Sequence, residues 1–200
     1  FIALKISIAG VDEVGRGCLA GPVIASAVIL KKNISGLDDS KKLSSKKREE
    51  LSKIILENSY FAFGSASEEE IDDINILQAS LLAMKRAILK LEVIPEKVLV
   101  DGNQIPNMDL QIQAIIGGDS LIAEISAASI IAKVYRDNLM IGFDKDYPEY
   151  GFGKHKGYGT KYHLDSIKNY GACPIHRKTF KGVYWLNEEF IFTSKSFIRI

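Results

Sequence analysis

This sequence predicts an α/β fold, a mixed sheet with helices on its faces, and three observations lead there. Apolar runs with strand character stand at Lys5 to Val11 and Val23 to Leu30, close enough in sequence to pair antiparallel. Another short apolar run, Lys97 to Val100, follows only after helical segments, so it can lie parallel to the first. Between them, apolar residues recur at the spacing of a buried helix face.

In order, the first strand alternates through Ile6-Ser7-Ile8-Ala9 and runs into Gly10-Val11-Asp12-Glu13-Val14-Gly15-Arg16-Gly17. Pro22 precedes the second strand, where a missing N–H is tolerated. That strand, Val23 to Leu30, is nearly all apolar and belongs in the middle of a sheet. A polar loop from Lys31 to Lys42 leads to a helix from about Ser45 to Glu57, and Tyr60 to Ser65 reads as a strand. Ser67 with Glu70 has the form of a capping box and starts a short helix. A longer helix follows from Ile76 to Leu91, with Leu77, Leu81, Met84, Ile88 and Leu91 on its core face, and Pro95 lies beyond its end. The strand Lys97 to Val100 ends in Asp101-Gly102-Asn103, and a fifth strand, Gln111 to Ile116, runs into Gly117-Gly118-Asp119. The most apolar helix spans Leu121 to Met140, and its small residues permit close approach to a sheet. Beyond Pro148 the chain turns glycine-rich and basic, with a further helix from Lys161 to Asn169.

Two hundred residues suit one domain with its own core. No run of about 18 apolar residues suggests a membrane span, and the first ten residues lack the pattern of a signal peptide. Cys18 and Cys173 have no metal or redox spacing, so free thiols in a reducing cytoplasm are expected. Net charge is only +1, but it is segregated. Lys154, Lys156, Lys161, Lys168, Arg177, Lys178 and Lys181 face Asp165 alone between Gly151 and Gly182, and Lys41, Lys42, Lys46, Lys47 and Arg48 form a second cluster. Acid gathers in Glu68-Glu69-Glu70 with Asp72-Asp73. A basic face on a neutral molecule suits a phosphate-rich ligand.

The chemistry gathers at strand ends. Adjacent carboxylates on a strand point to opposite faces, so one of Asp12 and Glu13 must face the packed side or line a cleft. If the Lys97–Val100 strand lies parallel to the first, Asp101 joins them outside the carboxyl ends of the strands, where open α/β sheets bind ligands. Asp119, just before a helix, can complete the group. Four carboxylates so close repel one another unless divalent cations intervene. Two such ions suit attack on a phosphodiester. A non-catalytic nucleic-acid-binding module and a DNA nuclease indifferent to the 2′-hydroxyl remain alternatives. The three histidines have no zinc spacing and read as surface or hydrogen-bonding residues. Asp137 beside Arg136, and Ser126 to Ser129, read as helix structure.

Asp12-Glu13-Val14-Gly15-Arg16-Gly17, Asp39-Ser40-Lys41-Lys42-Leu43, Val100-Asp101-Gly102-Asn103, Gly118-Asp119-Ser120 and Ser126 to Val134 occur in the order found in bacterial ribonuclease HII. So do Arg136-Asp137, His155-Lys156-Gly157-Tyr158-Gly159-Thr160 and His176-Arg177. The sequence resembles that family from residue 8 to about residue 183. The resemblance implies a ribonuclease H-like fold, a mixed five-stranded sheet flanked by helices with a C-terminal helical segment. It implies a catalytic domain over 1–183, its basic substrate-binding part at about 148–183, and a tail, 184–200, of unassigned role. It implies Asp12, Glu13, Asp101 and Asp119 as catalytic residues and ligands of two Mg²⁺ or Mn²⁺ ions. Gly15, Arg16 and Gly17 would read a 2′-hydroxyl, Tyr158 would lie against the sugars at an RNA–DNA junction, and Lys41, Lys42, Lys154 and Lys156 would hold phosphates. The implied substrates of this monomer are RNA–DNA hybrid and duplex DNA with embedded ribonucleotides, cut to 3′-hydroxyl and 5′-phosphate ends in ribonucleotide excision repair and RNA primer removal. Arg16 separates the sequence from the sister ribonuclease HIII family, which usually has another residue there. The segment before Asp119 departs from the family, which often has a lysine in it.

Overall fold

The computed structural model describes residues 7–38 and 40–186. Lys5 and Ile6 at the expected start of the first strand, Asp39, and the tail from residue 187 onward lie outside the described residues. Strands β1 (Ile8–Val14), β2 (Val23–Leu30), β3 (Ser59–Ala66), β4 (Lys97–Asp101) and β5 (Ile112–Ile115) form one sheet in the order β3-β2-β1-β4-β5. β1 pairs antiparallel with β2, and β2 with β3. β1–β4 and β4–β5 are parallel, as the intervening helical crossover allows. β1 runs three residues beyond its expected end at Val11, because Asp12, Glu13 and Val14 stay paired with Ser26, Ala25 and Ile24.

Helices α1 (Ser45–Glu57), α2 (Glu68–Leu89) and α3 (Ala123–Asp146) cover the sheet. The strand alternation decides which face each residue serves. Ala9, Val11, Ala25 and Ala27 pack with Ala79, Ala83, Met84 and Ala87 of α2. Val28 and Leu30 pack on the other face with Leu51 and Ile55 of α1 and Ala127, Ala128, Ile130 and Ile131 of α3. Gly10 sets how closely α3 approaches: a Cβ there would stand 2.1 Å from the Glu124 carbonyl carbon, so a side chain would push the helix off the strand.

The Ser67 capping box forms, with Glu70 donating from its backbone to Ser67 and accepting from the Ser67 N–H. The two expected helices join end to end as α2, broken only at Asn75 (φ 68°, ψ 163°). Its side chain accepts from the N–H groups of Leu77 and Gln78 and so caps the second half. α3 starts two residues later than expected because Leu121 and Ile122 close the turn at Asp119, donating to the Gly118 carbonyl. It continues past Met140 to Asp146, with Phe143 packed on a third cluster of Ala20, Met140, Phe152, Ile167 and Val183. That cluster includes α4 (Phe152–His155), a single helical turn inside the glycine-rich stretch, and α5 (Lys161–Tyr170).

Candidate active site

Register brings the acids together. Val11 pairs with Val100, so Asp12 and Asp101 leave the sheet side by side at the carboxyl ends of two parallel strands. Asp101 pairs in turn with Ile115 of β5, and the chain then folds back so that the Asp119 N–H points at Asp101 Oδ1, 3.4 Å away. One carboxylate oxygen from each of Asp12, Asp101 and Asp119 lies within 4.8 Å of the other two, and Asp12 and Asp119 are buried. This is the one such acidic group among the described residues. Burial, then the charge of Glu13 and that of Asp101, hold the Asp12 carboxyl well above the usual carboxylate range, against a hydrogen bond from Ser129. A hard divalent cation takes oxygen ligands and relieves such repulsion, so the donor set fits a metal.

Glu13 differs from the other three acids. It lines the same cleft but pairs with Arg16, Oε1 to Nη1 at 3.1 Å. Burial raises its carboxyl above the ordinary value, and Arg16 opposes the rise.

The cleft of about 230 Å³ is lined by Asp12, Glu13, Gly15, Arg16, Gly17, Ser40, Lys41, Asp101, Ser129, Lys133 and Tyr158. Two fully buried arginines hold its glycine wall from behind. Arg177 donates to the carbonyls of Gly15, Arg16 and Gly21. Arg136 donates to those of Ala20, Pro22 and Lys156. Both have lost their water, and burial pulls Arg177 down to about 10. The carbonyls supply the hydrogen bonds that a buried charge requires. At Gly15 (φ 95°) a Cβ would stand 2.2 Å from Arg136 Nε, so the close arginine and the left-handed backbone both require glycine.

The other expected contacts divide. Tyr158 is 43% exposed, and its hydroxyl meets the side chain of buried Cys18, the residue after Gly17. Lys41 reaches the cleft, whereas Lys42 pairs with Asp38 at 3.2 Å and reaches Ser120 Oγ at 3.4 Å. Lys154 is exposed. The Lys156 ammonium is turned onto the Gly153 carbonyl, beside a smaller hollow with Arg48 and Asp137. Asp137 pairs with Lys133 at 2.7 Å, one turn along α3. Lys133 and Ser129, read from sequence as helix, face the cleft on successive turns of α3. Lys133 stands four residues from each of Ser129 and Asp137, and that spacing was the available signal. His163 and His176 are buried and fully hydrogen-bonded rather than at the surface.

Comparison with known proteins agrees with this geometry. The family model described as Ribonuclease HII matches residues 9–183. Ribonuclease HII of Coxiella burnetii (strain Dugway 5J108-111) is 57% identical over 182 residues, 90% of each chain. The ribonuclease H2 of Pyrococcus horikoshii OT3 superposes with a TM-score of 0.77 at 28% identity, covering 93% of this chain and 99% of that one. RNase HII from the Archaeoglobus fulgidus complex with PCNA gives 0.75 at 26% identity, covering 88% and 96%. With a ribonuclease H-like sheet, an acidic cluster at its strand ends and these relatives, the chain is a ribonuclease H enzyme and belongs to the ribonuclease HII family.

Proposed function

We propose that this enzyme nicks duplex DNA on the 5′ side of an embedded ribonucleotide and cuts the RNA of RNA–DNA hybrids, leaving 3′-hydroxyl and 5′-phosphate ends. The observation that carries the reading is that Asp12 and Asp101, clustered with Asp119, share one cleft with the Gly-Arg-Gly wall. Acids alone repel a phosphodiester; beside a wall of backbone carbonyls and N–H groups they act on a strand bearing a 2′-hydroxyl, which both donates and accepts.

Asp12, Asp101 and Asp119 are the residues to hold Mg²⁺ or Mn²⁺, and Glu13, which lines the cleft beside Asp12 and Asp101, joins them once Arg16 turns to substrate. Bound there, the cations would lower the pKa of attacking water and offset charge on the leaving oxygen. In the net reaction water oxygen bonds to phosphorus, the P–O3′ bond of the preceding nucleotide breaks, and O3′ gains a proton. The ribonucleotide's own 2′-hydroxyl neighbours its 3′ phosphate, so it serves as a recognition handle and not as the nucleophile on the 5′ side. Gly15, Arg16 and Gly17 read that hydroxyl, Tyr158 lies against the sugar with its flat face, and Lys41, Lys42, Lys154 and Lys156 neutralise phosphates. The basic part at 148–183 then belongs to the same catalytic domain as the sheet. Work in ribonucleotide excision and primer removal, by a monomer in a reducing cytoplasm, accords with the two free cysteines. Among the described residues no helix is long and apolar enough to cross a membrane.

The test is a labelled DNA duplex with one ribonucleotide beside an all-DNA control, in Mg²⁺, in Mn²⁺ and in chelator. A metal-dependent nick 5′ of the ribonucleotide, absent from the control, is expected. Binding without a nick would leave a non-catalytic module, and equal cutting of both duplexes would leave a DNA nuclease.

A further inference from the structure

Tyr158 sits on a turn with no regular secondary structure, after Lys156 and Gly157 in left-handed conformations (φ 55° and 88°). Such a turn has no ladder to fix its direction, so its polar backbone groups must be held from outside. The Tyr158 carbonyl accepts from the Thr160 N–H at 2.8 Å and from His163 Nδ1 at 2.9 Å. His163 is the third residue of α5; its N–H caps onto Thr160 while its ring reaches back across the cap to Tyr158.

Behind it, His163 Nε2 lies 2.9 Å from His176 Nε2, and His176 Nδ1 faces the Cys173 N–H at 2.9 Å and the Cys173 thiol at 3.1 Å. With both rings neutral, one proton arrangement satisfies every contact. His163 donates from Nδ1 to Tyr158, so its Nε2 accepts. His176 must then donate from Nε2 and accept at Nδ1 from Cys173. Burial supports neutral rings, pulling His163 down to about 4 and His176 to about 3, and it pushes the Cys173 thiol up to about 11, keeping it a donor. The relay runs in one direction, from the Cys173 backbone to the carbonyl of a residue that lines the cleft.

We propose that His163, oriented by His176, is a positioning residue for Tyr158: the pair fixes the turn that presents the tyrosine to the ribose and so sets how efficiently a ribonucleotide-bearing duplex is cut. The proposal rests on the reading of Tyr158 as a substrate contact. Asparagine and glutamine separate it from a merely structural role. In His163→Asn the amide takes the place of Nδ1 and keeps the donor to Tyr158. In His163→Gln it takes the place of Nε2, keeping the contact to His176 and losing the donor.

The experiment measures kcat/KM on the single-ribonucleotide duplex for both variants, alone and with Tyr158→Ala. His163→Gln is expected to lose roughly tenfold or more, as small misplacements of a positioning contact do, while His163→Asn recovers most of it. In the Tyr158→Ala background His163→Gln should add no further loss. Equal losses for both variants that track melting temperature, or losses that multiply with Tyr158→Ala, would overturn the proposal. The ring resonances of Tyr158 in NMR spectra give a readout that needs no turnover: they should move in His163→Gln and stay in His163→Asn. Moved resonances with a wild type that fails to nick would sink the substrate reading and keep the positioning. Unmoved resonances in both variants would sink the positioning.

Discussion

Asp12 is 6% exposed, and burial together with the charges of Glu13 and Asp101 holds its carboxyl well above the usual range. The sign of its effect on stability follows directly. A carboxyl that binds its proton more tightly when folded favours folding at low pH and opposes it once ionised. Near neutral pH without a cation, Asp12→Asn should therefore melt above the wild type, by roughly 2–4 °C for each kcal/mol relieved. Added Mg²⁺ or Mn²⁺ should raise the wild type and raise the variant less, because a ligand of the folded state stabilises it by mass action. Calorimetry in chelator and in metal checks both; a variant that melts lower in chelator would show that Asp12 packing outweighs its charge. Asp101→Asn should abolish turnover with the fold intact, and retained nicking would remove Asp101 from the site.

Elements carry the geometry that single residues use. The approach of α3 to β1 depends on Gly10, and Gly10→Ala should destabilise by about 1–3 kcal/mol, the range for overpacking a filled core; an unchanged denaturation midpoint would mean that α3 shifts freely. The sheet, the Ser67 cap and the acids at the strand ends were legible in sequence because each rests on local chemistry: alternation, a three-residue cap, a turn. The break at Asn75 was legible as two helices, though not as one continuous rod. The end of β1 and both ends of α3 were misjudged where tertiary contacts decided, with β2 extending β1 and the Asp119 turn using up the N–H groups of Leu121 and Ile122. Arg136 and Arg177 were illegible as supports, since their partners are backbone carbonyls up to 162 residues away, which no side-chain pattern announces. The His163–His176 contact, side chain to side chain, was hidden for a different reason. α5 and the segment at 173–177 meet only after folding.

The whole molecule segregates charge, and its affinity should follow. A duplex held by Lys41, Lys42 and Lys154 should bind with a strong salt dependence, and the paired change Lys41→Gln with Lys42→Gln should lower the slope of log K against log salt by roughly 2. An unchanged slope would place those lysines off the phosphates. Acid should weaken the fold as a whole. His163 and His176 are held below the ordinary histidine value, to about 4 and about 3, so the unfolded chain binds their protons first. Their contribution is complete above about pH 6.5 and is lost as pH falls through the folded values. Replacing both with uncharged residues should flatten that acid limb in denaturation measured from pH 7 to 4.

The arginine that holds the glycine wall has a consequence in time. Arg177 reaches carbonyls at Gly15 and Arg16 across 162 and 161 residues. During synthesis at ~5–20 residues per second, on the order of ten seconds or more separates the appearance of the wall from that of its support. The acids emerge well before the clamp that shapes their cleft. A growing chain thus carries its acids before their cleft has its wall, and the cleft takes its shape late.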